Sequence, residues 1–164
     1  MELQKIFNIQ KKFTKSISKG KVIELDKQKF SVIAELVEFN EELPVDMTHK
    51  YWKKNKFNEE KMLTELCDTM LFVFECMYTS GEEISDYNAE LFRHFSSEDK
   101  LVKSSLYQTL YTIINDVICE RFNDAISNIL TIFNWLGVDN AMLSEIFLTK
   151  IIRNYERLLK EEWV

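Results

Sequence analysis

The sequence has very few of the residues that interrupt regular secondary structure. It contains three glycines and one proline in 164 residues. Sheets joined by tight turns usually need more of both, so this scarcity favours long helices. Gly20, Gly81 and Gly137 lie far apart and form no glycine-rich loop. P-loop and Rossmann enzymes, which need such a loop to bind phosphate, are therefore excluded.

The chain also lacks an excess of positive charge and any long apolar segment. Its formal net charge is −6, which argues against a general nucleic-acid-binding protein. An acidic protein can still bind a polyphosphate when a metal ion mediates the contact. The N-terminus is polar and lysine-rich, without an apolar signal core, and no stretch is long enough to span a membrane. We therefore predict a cytoplasmic protein that binds neither membranes nor nucleic acid.

Cysteine is scarce as well. Cys67, Cys76 and Cys119 are odd in number, form no CxxC motif and each lie in an apolar helical pattern. A disulfide framework or a zinc site would need a different number or spacing. The pattern predicts three buried free thiols in a reduced compartment.

Hydrophobic residues, in contrast, are plentiful. They make up 46% of the chain, and aromatic residues make up 13%, which is enough for the core of one domain comprising residues 1–164. The periodicity of these residues predicts helices over residues 3–17, about 26–43, about 58–80, about 88–94, 101–136 and about 139–161. The segment that begins at Leu101 is long enough to be one helix or two helices joined by a kink near residues 121–123.

These helices are amphipathic and are joined by short connections, so the sequence predicts an all-α antiparallel helical bundle. In the second helix we expect Asp26 to be the N-cap. The side chains predicted to form its apolar stripe are Phe30, Ile33, Ala34 and Val37. Several helices, especially those beyond Leu101, are apolar on more than one side, and a second subunit often covers such a surface. We therefore expect a homodimer.

Two pairs of acidic residues have a spacing suited to metal binding. Glu35 and Glu38 lie on the second predicted helix, and Glu65 and Asp68 on the third. Residues three apart share one face of a helix, so two such pairs on antiparallel neighbours could bring four carboxylates together. Mg²⁺ prefers hard oxygen ligands and is commonly bound by carboxylates together with substrate phosphates.

The same acidic spacing recurs by chance, so the surroundings of each pair matter. Glu83 and Asp86 lie in a polar stretch, which predicts ordinary surface charge. Asp68 instead lies among apolar residues, where an unpaired carboxylate is costly. It should therefore be protonated, bind a metal, or form a salt bridge with a nearby lysine or arginine.

The last predicted helix carries a cationic stripe. Lys150, Asn154 and Arg157 follow an i, i+4, i+7 pattern and so share one face. A lysine supplies a point charge and an arginine a planar fork, and both suit a run of phosphate oxygens. The alternative is an ordinary solvated helix face.

Taken in order along the chain, these features resemble the dimeric all-α dUTPase family, which is related to the MazG-like nucleotide pyrophosphohydrolases. The matching blocks are residues 3–13 with Gln10, Glu35 with Glu38, Lys50 to Trp52, Glu65 with Asp68, and Lys150 with Asn154 and Arg157. The last of these blocks departs from the family pattern at Ile151, where a second asparagine is common, and the chain departs again at residues 161–163, where a Gly-Tyr pair is common.

The resemblance implies a function and a role for each matching residue. The family hydrolyses dUTP to dUMP and pyrophosphate and often accepts dUDP. Glu38 would also orient or activate the attacking water. The implied Mg²⁺ ligands are Glu35, Glu38, Glu65 and Asp68. The implied phosphate contacts are Lys50, Lys150, Asn154 and Arg157. The implied base contacts are Gln10 and Trp52.

Two other functions remain open from the residues alone. One is a related pyrophosphohydrolase that acts on another nucleoside triphosphate. The other is a non-enzymatic helical interaction protein, which would explain the acidic charge and the apolar helices without an active site. A di-iron bundle is discounted, because neither His49 nor His94 has a glutamate three residues before it.

Overall fold

The computed structural model describes residues 2–50, 52, 54, 56–94 and 103–160. Within these residues it is all-helical, which confirms the predicted fold class. Tyr51, the predicted helix start at Leu101 and residues 161–163 lie outside the described residues. The helices are α1 (Leu3–Ser18), α2 (Leu25–Glu42), α3 (Glu59–Ser80), α4 (Asp86–Arg93), α5 (Lys103–Ile118), α6 (Phe122–Trp135) and α7 (Asn140–Leu159).

Local capping residues explain where α3 begins and ends and where α7 begins. The side chain of Asn58 accepts a hydrogen bond from the backbone N–H of Lys61 at the start of α3. Gly81 ends α3 with a φ of 80°, a left-handed conformation that glycine adopts without a steric penalty. Asp139 caps α7 in the same way as Asn58 caps α3. The predicted N-cap of α2 is wrong, because Asp26 lies inside the first turn of that helix.

The long helical segment near the C-terminus is two helices, α5 and α6. Glu120 has a φ of 59°, and this left-handed residue reverses the chain between them. Asp116 is buried and accepts hydrogen bonds from the Arg121 guanidinium and the Asn128 amide, which fixes the turn. Cys119 lies at this turn and is exposed, so the prediction that it is buried is wrong.

Helix α3 lies at the centre of the bundle, packed against α1, α2, α6 and α7. Its side chains are buried on nearly every side, including Cys67 and Cys76, whose predicted burial as free thiols is confirmed. Apolar side chains from all the described helices form one continuous core around it. None of the described helices combines the length and the apolar character that crossing a bilayer requires.

The core-facing side of α2 differs from the predicted stripe. Val32, Leu36 and Phe39 are buried against the bundle, whereas Phe30 is 73% exposed and Val37 44% exposed. Residues 32, 36 and 39 also have i, i+4, i+7 spacing, so periodicity alone could not decide between the two apolar faces. Helix α2 therefore presents a second apolar face to the outside, beside α5.

Candidate functional site

The acidic motifs meet where α2 and α3 pack side by side. One carboxylate oxygen from each of Glu35, Glu38 and Glu65 lies within 4.8 Å of the others. Asp68 lies one turn further along α3 and raises the pKa of both Glu35 and Glu65 through its charge. We refer to these four residues as the acidic cluster.

Burial and mutual repulsion raise the pKa values of Glu35 and Glu65. Burial is the larger cause for Glu35, and the charges of Asp68 and Glu38 add to it, so that the pKa of Glu35 reaches about 7. The pKa of Glu65 is raised for the same reasons, with burial again the larger. A nearby cation would relieve this repulsion. Four carboxylates are also the hard oxygen donors that a divalent ion such as Mg²⁺ prefers, so the residues fit such an ion.

The cationic stripe of α7 faces the acidic cluster. The Nζ atom of Lys150 lies 2.5 Å from a carboxylate oxygen of Asp68, and both side chains are largely buried. The pKa of Asp68 is raised by burial, while Lys150 and Arg157 oppose this rise. Asp68 thus forms one of the contacts that its apolar surroundings predicted, a salt bridge to a lysine.

A cavity of about 120 Å³ lies between α1, α3 and α7, beside the acidic cluster. It brings together the glutamine predicted to contact the base, two acids of the cluster and the whole cationic stripe. Its lining residues are Gln10, Phe13, Glu35, Asp68, Leu71, Phe72, Glu75, Lys150, Asn154 and Arg157.

The other predicted site residues lie outside this cavity. Glu38 is exposed and Glu65 half-buried, at the outer edge of the acidic cluster. Lys50 forms an ion pair with Glu41, with 2.7 Å between Nζ and Oε2. Trp52 is 60% exposed in the segment between α2 and α3. The structure therefore does not bring Lys50 and Trp52 together with the cavity residues.

A larger groove of about 380 Å³ runs between the first half of α3 and residues 142–153 of α7. It shares Lys150 with the smaller cavity, but no residue of the acidic cluster lines it. The smaller cavity is therefore the better candidate for a site that binds both a metal and phosphates.

Glu75 is a cavity residue that the sequence reasoning missed. It is buried, and its Oε1 accepts hydrogen bonds from Gln10 Nε2 at 3.0 Å and from the Thr14 hydroxyl at 3.2 Å. Burial raises its pKa to about 7, and these hydrogen bonds oppose the rise. Glu75 follows Asp68 by seven residues and so lies on the same face of α3. That spacing within an apolar helix was the signal that could have identified it.

Two buried amide oxygens of residues that line the cavity have no hydrogen-bond partner among the residues that the structure describes. Gln10 Oε1 and Asn154 Oδ1 have no hydrogen-bond partner within the described part of the chain, although both side chains are buried. Buried polar atoms are rarely left unpaired in a folded protein. Their position in the wall of a cavity marks a place where a ligand or a water molecule can donate hydrogen bonds.

Comparison with known proteins gives one family. A sequence model described as dUTPase matches residues 2–161. The matched range includes the acidic cluster and every residue that lines the cavity. A comparison with curated proteins found no match.

The raised pKa of Glu35 predicts how the metal-free protein responds to pH. Folded Glu35 titrates near 7 and unfolded Glu35 near 4.5, so the folded state retains its proton longer. Its contribution to the free energy of unfolding therefore falls as pH rises through this window. In the presence of a metal chelator and above pH 7, Glu35→Gln should therefore raise Tm. The rise should be on the order of 2–4 °C for each kcal/mol added to the free energy of unfolding. Thermal unfolding at acidic and alkaline pH measures this.

Asp68→Asn is the matched comparison for this prediction. It also removes one charge from the acidic cluster, but it breaks the ion pair with Lys150 and leaves a largely buried ammonium group unpaired. We expect it to lower Tm under the same conditions. Equal Tm shifts for the two variants would contradict the charge arrangement described above.

Proposed function

The chain belongs to the dUTPase family and hydrolyses dUTP to dUMP and pyrophosphate, and we propose that it does so with Mg²⁺ bound at the acidic cluster. The observation that carries this proposal is the approach of three carboxylates to within 4.8 Å beside a cavity lined by a cationic stripe. The family generally uses a divalent metal. Ligands that are all carboxylate oxygens favour Mg²⁺ over softer metals.

Each acid of the cluster would serve as a metal ligand. Bound divalent ions neutralise phosphate charge and supply Lewis acidity. The exposed carboxylate of Glu38 stands at the outer edge of the cluster, where water can reach it. We assign Glu38 to orient the attacking water and to accept its proton. The proposed ligands are Glu35, Glu38, Glu65 and Asp68.

The cationic stripe would bind the phosphates. Lys150 and Arg157 line the cavity next to Asp68, so they can donate hydrogen bonds to phosphate oxygens close to the metal ligands. Asn154, between them on the stripe, offers an amide to the same region. Lys50 would act as an outer phosphate contact after leaving Glu41, its present partner.

The nucleoside would lie on the α1 side of the cavity. Gln10 presents a buried amide whose oxygen has no partner in the described part of the chain, which suits recognition of a base by hydrogen bonds. Trp52 offers an exposed aromatic ring on which a base can stack.

We also expect dUDP to be hydrolysed, because the proposed contacts to the base and to the metal do not require the terminal phosphate.

The metal requirement is tested by hydrolysis of dUTP, dUDP and the other nucleoside triphosphates, with and without Mg²⁺. We expect pyrophosphate release from dUTP to require the metal. Glu38→Gln should lower kcat by roughly 10²–10⁴, the usual contribution of a general base. Glu24→Gln, at an exposed position before α2, serves as the control and should retain normal turnover. Full activity in excess chelator would refute the metal proposal.

The cationic stripe is tested by Arg157→Ala. Loss of a charge-assisted contact costs about 1.5–3 kcal/mol, which predicts a fall in kcat/KM of about ten- to a hundredfold. Arg157 is exposed on α7, so the fold should be little affected. Glu156→Ala changes the neighbouring exposed residue, off the stripe, and should be neutral. Equal kinetics for the two variants would show that the stripe is ordinary solvated surface.

We further propose that the 164 residues act as one cytoplasmic domain that forms a homodimer. Free thiols such as those of Cys67 and Cys76 are typical of proteins in a reducing compartment. Helices α2 and α5 are neighbours. An ion pair joins Lys29 of α2 to Glu120 in the turn that follows α5. Their exposed apolar side chains are Phe30, Val37, Tyr111 and Ile118, and such side chains on adjacent helices favour burial against a second subunit.

The dimer proposal is tested by sedimentation at micromolar concentration. Tyr111→Glu places a charge in the proposed interface and should shift the protein from dimer to monomer. Tyr87→Glu is a matched control on α4, because Tyr87 and Tyr111 are both 68% exposed. A wild-type protein that sediments as a monomer would contradict the proposal.

A further inference from the structure

The amide of Gln10 is held at one end only. Its Nε2 donates a hydrogen bond to Glu75 Oε1 at 3.0 Å, while its Oε1 is buried without a partner among the described residues. Both residues line the cavity beside the acidic cluster. The same Oε1 of Glu75 also accepts a hydrogen bond from the Thr14 hydroxyl, at 3.2 Å. Glu75 is therefore held in place against α1 by two donors.

A carboxylate dictates which way a neighbouring amide must turn. An ionised carboxylate only accepts hydrogen bonds, whereas an amide has a donating end and an accepting end. When Glu75 is ionised, above its pKa of about 7, the Gln10 NH₂ group must therefore face Glu75, and the Gln10 oxygen must point away from that carboxylate. The reverse orientation would bring the Gln10 oxygen against the Glu75 carboxylate and lose a charge-assisted hydrogen bond.

We propose that Glu75 is a positioning residue that fixes the Gln10 amide with its oxygen toward the bound base, so that the cavity accepts uracil and rejects cytosine. This inference rests on the proposed contact between Gln10 and the base. In this proposal Glu75 acts on the base through Gln10, to which it is hydrogen-bonded.

The hydrogen-bonding edges of the two pyrimidines explain the selection. Uracil presents a donor, N3–H, beside an acceptor, O4, which matches the Gln10 oxygen and the remaining N–H of its NH₂ group. Cytosine presents an acceptor, N3, beside a donor, its amino group. Cytosine would therefore need the reversed amide, which Glu75 disfavours. Thymine has the same edge as uracil and should not be distinguished by this contact.

The test is Glu75→Gln, assayed with dUTP, dCTP and dTTP at about pH 8.5, above the pKa of Glu75. A glutamine at this position can donate or accept, so it no longer selects one orientation of Gln10. We expect the dUTP:dCTP ratio of kcat/KM to fall by about ten- to a hundredfold. The dUTP:dTTP ratio should stay unchanged. A general structural defect would lower all three activities together, and an unchanged dUTP:dCTP ratio would overturn the inference.

Two further variants show whether Glu75 acts through Gln10. In a Gln10→Ala background, Glu75→Gln should cause no further change in the dUTP:dCTP ratio, because no amide remains to be oriented. Glu83→Gln is the matched control, since Glu83 also accepts a hydrogen bond from α1, from Lys11, but lies outside the cavity. It should leave every ratio unchanged. Additive effects of the first two changes would overturn the inference.

Failure of the inference can be separated from failure of the proposed base contact. If Gln10→Ala leaves the dUTP:dCTP ratio unchanged, the base does not contact Gln10, and both proposals fail. If Gln10→Ala lowers the ratio but Glu75→Gln does not, the inference alone fails.

A measurement on the wild-type enzyme covers the case in which Glu75→Gln does not fold. The analogue 3-methyl-dUTP lacks the N3–H donor, so its kcat/KM should be at least about tenfold below that of dUTP. Equal kcat/KM values would show that the Gln10 oxygen does not accept a hydrogen bond from the base, and this would overturn the inference.

Discussion

Repulsion among the carboxylates at the seam of α2 and α3 is the constraint around which the site is arranged. Like charges this close would move apart if the helices were free to do so. Helix α3 cannot move away, because it is buried against α1, α2, α6 and α7. The packing of the core therefore holds the carboxylates of the acidic cluster together. Lys150 supplies positive charge from within the chain, on the side where α7 closes the cavity.

The face of α3 that carries Asp68 also sets the spacing of the proposed site. Asp68 and Glu75 are seven residues apart, which corresponds to about 10 Å along a helix. The proposed metal and phosphate end of the cavity is thus separated from the proposed base end by two turns of one rigid element. Helix α1 contacts Glu75 through Gln10 and Thr14, and α7 contacts Asp68 through Lys150.

The sequence predicts those parts of the molecule whose causes are local. Asn58 and Gly81 mark the limits of α3 because capping depends on only a few neighbouring residues. The acidic pairs could be placed on helix faces from their spacing alone. The outward direction of Phe30 could not be predicted, because α2 has two apolar faces and only tertiary packing selects between them. The exposure of Cys119 depends likewise on the left-handed turn at Glu120.

Glu75 shows a different limit of sequence reasoning. A single acid within an apolar helix indicates an unusual environment, but its partners Gln10 and Thr14 are more than 60 residues away along the chain. Only the packing of α1 against α3 reveals what the acid holds.

Helix α2 carries two acids of the acidic cluster on one side and an exposed apolar surface on another. Glu35 and Glu38 face α3, while Phe30 and Val37 point outward from the same rigid cylinder. A rotation of α2 about its axis would move both sets of side chains at once. Any association through the outer face that shifts this helix is thermodynamically linked to ion affinity at the inner face. By reciprocity, ion binding would then alter the association constant by the same factor.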